Sequence, residues 1–519
     1  PETSRALFFG LGSDGTVGAN KNTIKIIGDK AGLHTQGYFV YDSKKSGGLT
    51  VSHLRFGEDP IRAPYLIEDA GFVACHQPQF LGRIEMLEKA APGEAFLLNS
   101  PLPADRVWDS LPGAVQEMMI GKGIRFYHVD ALAIAESVGM GRRINTIMQA
   151  CFFAISELLP VKEALDAMKE AIEKTYARKG PKIVEMNCGA VDGALAGLNR
   201  IPVPASVSAK TEPVQWIPDE APEFVRRVTG RILAGQGDML PVSAFPVDGT
   251  WPTATSRYEK RNIAAAIPDW NAETCTQCQK CSMVCPHAAI RPGLFEKDGL
   301  AAAPDGFSTA DFKGTGADGT ALRIQVFPED CTGCSACVEV CPAEDSEGRR
   351  AIEMAPVERL LESEKRNLKF FQETERIVPE TKVPGPRTLT FTEPLFEFSG
   401  ACSGCTQTPY VRTLTQLFGD RMLMANATGC SSIYGGNLPT TPYCQNTEGK
   451  GPAWANSLFE DNAEFGLGLH LAAEGRRSEA ARLLGKLSDE VGSALSRDIL
   501  GGFDTSADGI ASQRRRISA

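Results

Sequence analysis

Short apolar runs recur along the first 210 residues. Ala6-Leu7-Phe8-Phe9, Gly37-Tyr38-Phe39-Val40-Tyr41, Leu49–Phe56, Ala95–Leu98, Ile124–Val129 and Ile183–Met186 read as strands. Between them, Asn20–Ile27, Asp130–Val138, Ile144–Leu159 and Val161–Arg178 read as helices. Alternation of this kind predicts an α/β layer around a mostly parallel sheet. From Ile201 to Pro268 the pattern fades and proline is frequent, which predicts a wrapping linker with one helix near Pro222–Ala234. A cysteine-rich region, about 270 to 350, follows. A charged helical connector, Ala355–Thr374, leads into a proline-rich segment. Beyond about 388 come a new cysteine pair, a Gly/Asn/Thr-rich loop and two amphipathic helical patterns, near Asp461–Ala473 and Ser478–Ile499. The one internal repeat is the cysteine motif.

The length of 519 residues is too great for one core and predicts about three domains. A hydrophobic content of 42% and a charged content of 23% describe an ordinary soluble globular protein. A net charge of −10 disfavours nucleic acid as a partner, because phosphate binding needs a basic face. No apolar run approaches the ~18 residues of a membrane span. The opening Pro1-Glu2-Thr3-Ser4 has neither a starting Met nor a signal peptide, so the chain is expected to begin partway into something longer.

The 15 cysteines change the picture most. Cys275, Cys278, Cys281 and Cys285-Pro286 follow C-x2-C-x2-C-x3-C-P, and Cys331, Cys334, Cys337 and Cys341-Pro342 repeat it. This is the spacing of two-cluster bacterial ferredoxins. Three thiolates from one tight loop reach three irons of one cube, and the following helix carries the fourth cysteine away. Cys285 is therefore expected to serve the second motif's cluster, and Cys341 the first's. Structural zinc, which takes four ligands as two pairs, fits this spacing poorly. The insert from Phe295 to Phe327 reads as a surface elaboration. Cys402-Ser403-Gly404-Cys405 with the distant Cys430 makes a third group. Its spacing alone allows a third cluster, a redox pair or half of a zinc site. Cys430 sits in the small, glycine-rich stretch Ala425–Gly436, whose N–H groups could form an anion nest. Cys75, Cys151, Cys188 and Cys444 are isolated and are expected to be small buried residues.

The loop Phe8–Lys21 carries Gly10, Gly12 and Gly15 at G-x-G-x-x-G spacing, and Asp42 follows the second strand. That is the dinucleotide fingerprint, with a plain tight turn as its rival. Lys44 and Lys45 beside Asp42 argue for a phosphate-bearing ligand other than a nicotinamide cofactor.

Together these pieces resemble the pyruvate:ferredoxin (flavodoxin) oxidoreductase family, the single-chain thiamine-dependent 2-oxoacid oxidoreductases. The resemblance runs through Gly10–Lys21, Ser43–Gly48 with Ser52-His53-Leu54-Arg55-Phe56, Tyr258–Ala264, both ferredoxin motifs, Cys402–Tyr410 and Ala425–Pro442, and covers nearly the whole chain. It implies a multidomain protein. Residues 1–210 would form an α/β γ-type domain tied to coenzyme A, and 211–268 an extended linker. Residues 269–387 would form an α+β two-[4Fe-4S] ferredoxin domain with its connector. Residues 388–519 would be the N-terminal part of an α/β thiamine-diphosphate domain. The implied reaction converts pyruvate and coenzyme A, a substrate here, to acetyl-CoA and CO2. Electrons would leave through three [4Fe-4S] clusters to ferredoxin or flavodoxin, in a cytoplasmic homodimer or an organelle matrix.

By the same resemblance, Cys402, Cys405 and Cys430 match three ligands of the third cluster. Gly12, Ser13, Asp14, Gly15, Thr16, Lys44, Lys45, Asn145 and Asn187 are expected to hold coenzyme A. Gln407, Thr428, Gly429 and Cys430 are expected near thiamine diphosphate and its Mg2+. Gln407 replaces a family carboxylate, and an amide cannot neutralise a positive ring. The fourth ligand of the third cluster, the Gly-Asp-Gly motif for Mg–diphosphate and the domains for substrate carboxylate and aminopyrimidine have no match here. The chain is thus expected to be the middle of a longer enzyme, inactive alone. Two alternatives stand beside this reading: a pyruvate:NADP oxidoreductase with a fused flavin reductase, and an electron-transfer module without thiamine chemistry.

Overall fold

The computed structural model describes residues 3–12, 14–141, 143–209, 217–380, 385–501, 504 and 506–518. It divides into two compact units, residues 1–420 with 433–451, and 421–432 with 452–519.

The first unit opens with a seven-stranded sheet. Its strands are β1 (Ser4–Leu11), β2 (His34–Tyr41), β3 (Leu49–Gly57), β4 (Ala70–Cys75), β5 (Ala90–Asn99), β6 (Arg125–Val129) and β7 (Asn199–Ile201), in the order β2-β3-β1-β4-β5-β6-β7. The neighbours from β1 through β4 and β5 to β6 are parallel, while β2 with β3, β3 with β1 and β6 with β7 are antiparallel. The sheet is evenly mixed, where the alternation predicts a mostly parallel one. The hairpin from His34 to Gly57 accounts for much of this, because consecutive strands with a short connection pair antiparallel.

β1 explains its central place. Ala6 and Phe8 face one core with Leu54, Phe56, Phe72, Ala74, Ala95 and Leu97, while Leu7 and Phe9 face another with Val73, Phe96 and Leu98. A strand buried on both faces reads as a continuous apolar run. Helices α1 (Thr16–Ala31), α3 (Ala131–Ser137), α4 (Asn145–Ser156), α5 (Val161–Tyr176) and α6 (Pro181–Gly197) cover the first face, and α2 (Gly113–Lys122) lies on the second. The expected strand Ile183–Met186 is part of α6. Pro181 sits in its first turn, and its buried residues Asn187, Ala190, Val191 and Ala194 recur at helical spacing. A four-residue apolar run cannot reveal that period alone.

The linker holds a helical segment over 225–233 and a short turn, Thr255–Tyr258. It then feeds β8 (Ala266–Trp270), which frames the cysteine-rich region by pairing antiparallel with β12 (Ile352–Pro356). The insert between the motifs is itself built. β9 (Ile290–Phe295) and β11 (Ala321–Val326) pair antiparallel and β10 (Ala310–Asp311) adds to β11. Phe295, Phe307 and the connector's Phe371 close a small core on this sheet. The connector is the helix Val357–Glu373.

In the second unit, β13 (Leu423–Ala427) and β14 (Ala453–Ser457) pair in parallel. The two expected amphipathic patterns merge: one helix runs Asn462–Lys486, and a second, Ser493–Gly501, follows. Nothing between Ala473 and Ser478 breaks a helix. The first helix ends at Lys486, a short helical turn, Ser488–Val491, follows, and Gly492, at a positive φ of 102°, separates that turn from the second helix.

Candidate functional site

The two cysteine motifs fold into the same loop twice. In the first, Gln277 and Gln279 take positive φ of 58° and 63°; in the second, Gly333 and Ser335 at the same places take 67° and 62°. The Gln277 N–H donates to Cys275 Sγ at 3.3 Å and the Gly333 N–H to Cys331 Sγ at 3.4 Å. Both loops curl around their sulfurs, with backbone donors aimed at them. Short helices, Lys280–Val284 and Ala336–Glu339, lead to Cys285 and Cys341.

The fourth cysteine crosses over. Cys285 lines one cavity with Cys331, Cys334 and Cys337, walled by Ala289, Ile290 and Met354. The Ala289 N–H donates to Cys285 Sγ at 3.2 Å. Burial, followed by neighbouring thiols that for Cys331 include Cys285 and for Cys281 include Cys275, Cys278 and Cys341, pushes both thiols far up. Such sulfurs are stable as thiolates only beside a compensating cation. Four cysteine sulfurs in a small apolar cavity with backbone donors fit an iron–sulfur cube.

The third pair packs against this assembly. Ser403 Oγ lies 3.3 Å from Thr332 Oγ1, and the Ser403 N–H donates to Ser46 Oγ at 2.6 Å. Phe398 N–H donates to His287 O at 3.0 Å. Arg412, on the helix Thr408–Phe418, donates to Cys285 O at 3.1 Å and Met283 O at 2.7 Å. The loop bearing Cys402 and Cys405 therefore sits beside the second motif, with Cys402 exposed and Cys405 half-buried.

Buried charge ties these segments together. Glu397 accepts from Arg257 Nη2 at 2.9 Å and from Arg291. Glu259 accepts from Lys44, from Arg83 at 3.1 Å and from Thr440 Oγ1 at 3.3 Å. Burial alone would raise both carboxyls. The cations outweigh it, holding Glu397 below its ordinary 4.5 and Glu259 at about 2. Glu397→Ala strands two arginines, and its expected cost is about 3–5 kcal/mol in a urea melt. The sign with pH follows. A depressed carboxyl contributes stability above its unfolded value. The contribution of Glu259 is thus whole above pH 4.5 and is lost as pH falls toward about 2.

The glycine loop lies at the carboxyl ends of β1, β4 and β5. Thr16 Oγ1 and His76 Nδ1 are 2.9 Å apart, and Asn99 Nδ2 donates to His76 O at 3.0 Å. Gly15 needs its glycine: its φ is 92°, and a Cβ there would strike the Asn145 amide. The loop's donors are largely used by the chain. Gly12 N–H donates to Gly48 O at 2.6 Å, and Leu11 and Thr16 N–H donate to the Asp14 carboxylate at 2.9 and 2.7 Å. Asp14 takes the position at the N-terminus of α1 that a ligand phosphate would take. Lys44 is spent on Glu259, whereas Lys45 is exposed. Asn145 opens α4 with Oδ1 buried and, among the described residues, without a hydrogen-bond partner. Asn187 is a mid-helix residue whose Nδ2 donates to Ile183 O at 2.8 Å. Ser13 lies outside the described residues.

Gln407 is exposed, and its carbonyl accepts from Tyr410 N–H at 3.1 Å. In the second unit, Thr428 Oγ1 donates to Ser457 O at 3.2 Å, Gly429 N–H donates to Ser432 Oγ at 2.8 Å, and Cys430 is exposed. Of the isolated cysteines, Cys75, Cys151 and Cys444 are buried and Cys188 is half-buried.

Sequence reasoning missed Glu397, Arg412, His76, the ion pairs of Glu259 and the carbonyl contacts of Arg261. The one available signal was the charge cluster Glu259-Lys260-Arg261 inside a proline-rich stretch, where a solvated linker has no use for it.

Three family models match. "Pyruvate ferredoxin/flavodoxin oxidoreductase" matches residues 5–197, a "Domain of unknown function" 210–264, and "4Fe-4S double cluster binding domain" 274–344. A pyruvate-flavodoxin oxidoreductase of Rhodospirillum rubrum is 50% identical over 99% of this chain and 44% of its own length. A pyruvate:ferredoxin oxidoreductase of Moorella thermoacetica is 52% identical over 93% of this chain and 41% of its own. The chain thus spans less than half the length of these relatives. Among solved structures, the pyruvate oxidoreductase subunit PORC of Thermotoga maritima aligns with 38% of this chain and 98% of its own, at 17% identity and a TM-score of 0.32.

Proposed function

We propose, for a chain that belongs to the pyruvate ferredoxin/flavodoxin oxidoreductase family, that it is the electron-relay and coenzyme A portion of a thiamine-dependent 2-oxoacid oxidoreductase. The enzyme converts pyruvate and coenzyme A to acetyl-CoA and CO2 and reduces ferredoxin or flavodoxin. The carrying observation is the row of cysteine sets. Cys402 and Cys405 sit on a loop against Thr332, and Cys285 reaches from the first motif into the second.

On this reading Cys285, Cys331, Cys334 and Cys337 hold the cluster next to the third one, and Cys275, Cys278, Cys281 and Cys341 hold the outermost. Such clusters supply one-electron transfer at low potential. The chain's part is to bury the sulfurs, aim N–H donors at them and keep the sets adjacent. Thiamine diphosphate, when bound, supplies the electron sink for decarboxylation; Gln407 and Thr428–Cys430 are the residues offered to it. The domain limits at about 210, 268 and 387, a homodimeric state and a cytoplasmic location belong to the same proposal.

Coenzyme A is assigned to the sheet domain, with Lys45 as its phosphate partner. Lys44 is left out because Glu259 holds it. Lys45→Ala is expected to weaken coenzyme A binding about fivefold, about 1 kcal/mol, by calorimetry. Lys44→Met should lower thermal stability instead.

The direct test is an anaerobic assay of the full-length protein with pyruvate, coenzyme A and flavodoxin. Release of CO2 coupled to flavodoxin reduction and acetyl-CoA formation is expected. Reduction that needs NADP, or none with any 2-oxoacid, would favour one of the two alternatives above.

A further inference from the structure

We propose that the segment Arg257–Asn262 is a clamp holding the Cys402–Cys405 loop in register with the Cys331–Cys337 loop, with Arg261 as its positioning residue. This rests on the reading of Cys402 and Cys405 as ligands of a third cluster. The segment falls within the matched domain of unknown function.

Five of its six residues grip separate parts of the chain. Arg261 Nη1 donates to Ser46 O at 2.6 Å and Nη2 to Ser399 O at 3.2 Å. Those carbonyls flank the point where Ser46 Oγ receives the Ser403 N–H and Gly400 O receives the Lys45 N–H, at 2.6 and 3.0 Å. On the other side, Lys260 Nζ donates to Asp330 at 2.6 Å and Asn262 N–H to Glu329 O at 3.0 Å. Asp330 immediately precedes Cys331. Arg257, on Glu397, completes the grip. One rigid strip thus touches the chain next to both cysteine loops.

Burial explains why charge is used. Lys44, Glu259 and Arg261 are 6, 7 and 7% exposed. A buried ion set stabilises no better than a packed apolar one, so its particular contribution is direction. A guanidinium presents a planar fork of donors, and two carbonyls from different segments can be held at one spacing by it. Glu259 balances Arg261 and fixes Lys44 and Arg83 at the back of the fork. Cluster ligation alone would leave the Cys402–Cys405 loop, exposed at Cys402, free to shift against its neighbour.

The test uses Arg261→Met, Arg261→Lys and Ser46→Ala in the full-length, iron-loaded enzyme. Iron content, the KM and kcat for pyruvate, and magnetic interaction between reduced clusters in EPR are read together. Arg261→Met is expected to keep the iron of the two ferredoxin-type sets and the KM, to lose the interaction attributed to the third set, and to lower kcat about tenfold or more. Loss of iron from the third set alone also supports the clamp. Arg261→Lys, a point charge without the fork, should recover only part of kcat. Ser46→Ala, which removes one peripheral contact, should act in the same direction more weakly, and it decides the matter if Arg261→Met fails to fold. Wild-type coupling and kcat in Arg261→Met, or in Ser46→Ala where that variant decides, would overturn the clamp; so would iron loss from every set in Ser46→Ala. A wild-type enzyme with only the two ferredoxin-type sets would instead defeat the third-cluster reading beneath it.

Discussion

Replacing Cys285 with alanine will strip the iron from the second cysteine set and leave the first intact. By sequence Cys285 ends the first motif, and a linear reading assigns it there. In the fold it lines the cavity of Cys331, Cys334 and Cys337, and the Ala289 N–H donates to its sulfur. A cube missing one of its four thiolates in this small, mostly apolar cavity is left one cysteine ligand short. The variant should lose about four of the roughly eight irons of the paired motifs. Alkylation with mass spectrometry locates the loss. Cys331, Cys334 and Cys337 should become reactive, while Cys275, Cys278 and Cys281 stay protected. Cys341→Ala should give the mirror image. Labelling of the first set in Cys285→Ala would mean that ligation is not crossed.

Replacing Cys402 and Cys405 together should cut electron delivery from pyruvate to flavodoxin by about a thousandfold, a barrier increase near 4 kcal/mol. The pair lies beside Thr332, in the loop of the second set. The iron of the two ferredoxin-type sets should remain, because Cys402 and Cys405 lie outside both motifs and do not line the cavity of the second. Reduction of those sets by dithionite should also be unchanged. Unaltered pyruvate-driven reduction would remove the pair from the electron path.

Much of the fold was legible where one residue pattern decides it. The doubly buried β1 announces itself as Leu7-Phe8-Phe9, and both cysteine loops follow from spacing alone. The misreadings occurred where tertiary context decides. Ile183–Met186 is too short to display its helical period. The mixed sheet depends on which edge the His34–Gly57 hairpin joins, which local sequence does not encode. In the site, the glycine spacing correctly marked a turn at a helix N-terminus. It could not reveal that Asp14 folds back to accept the Leu11 and Thr16 N–H groups. Lys44 looked like a phosphate partner because its neighbour Glu259 lies 215 residues away. Long-range ion pairs leave no local trace beyond an unexplained charge in a linker.

Iron analysis with EPR on the full-length enzyme, with and without pyruvate, tests the central claim most directly. Three clusters require about twelve irons per chain, and pyruvate should bring up a signal that the ferredoxin-type sets alone do not give. About eight irons and no response to pyruvate would contradict the account.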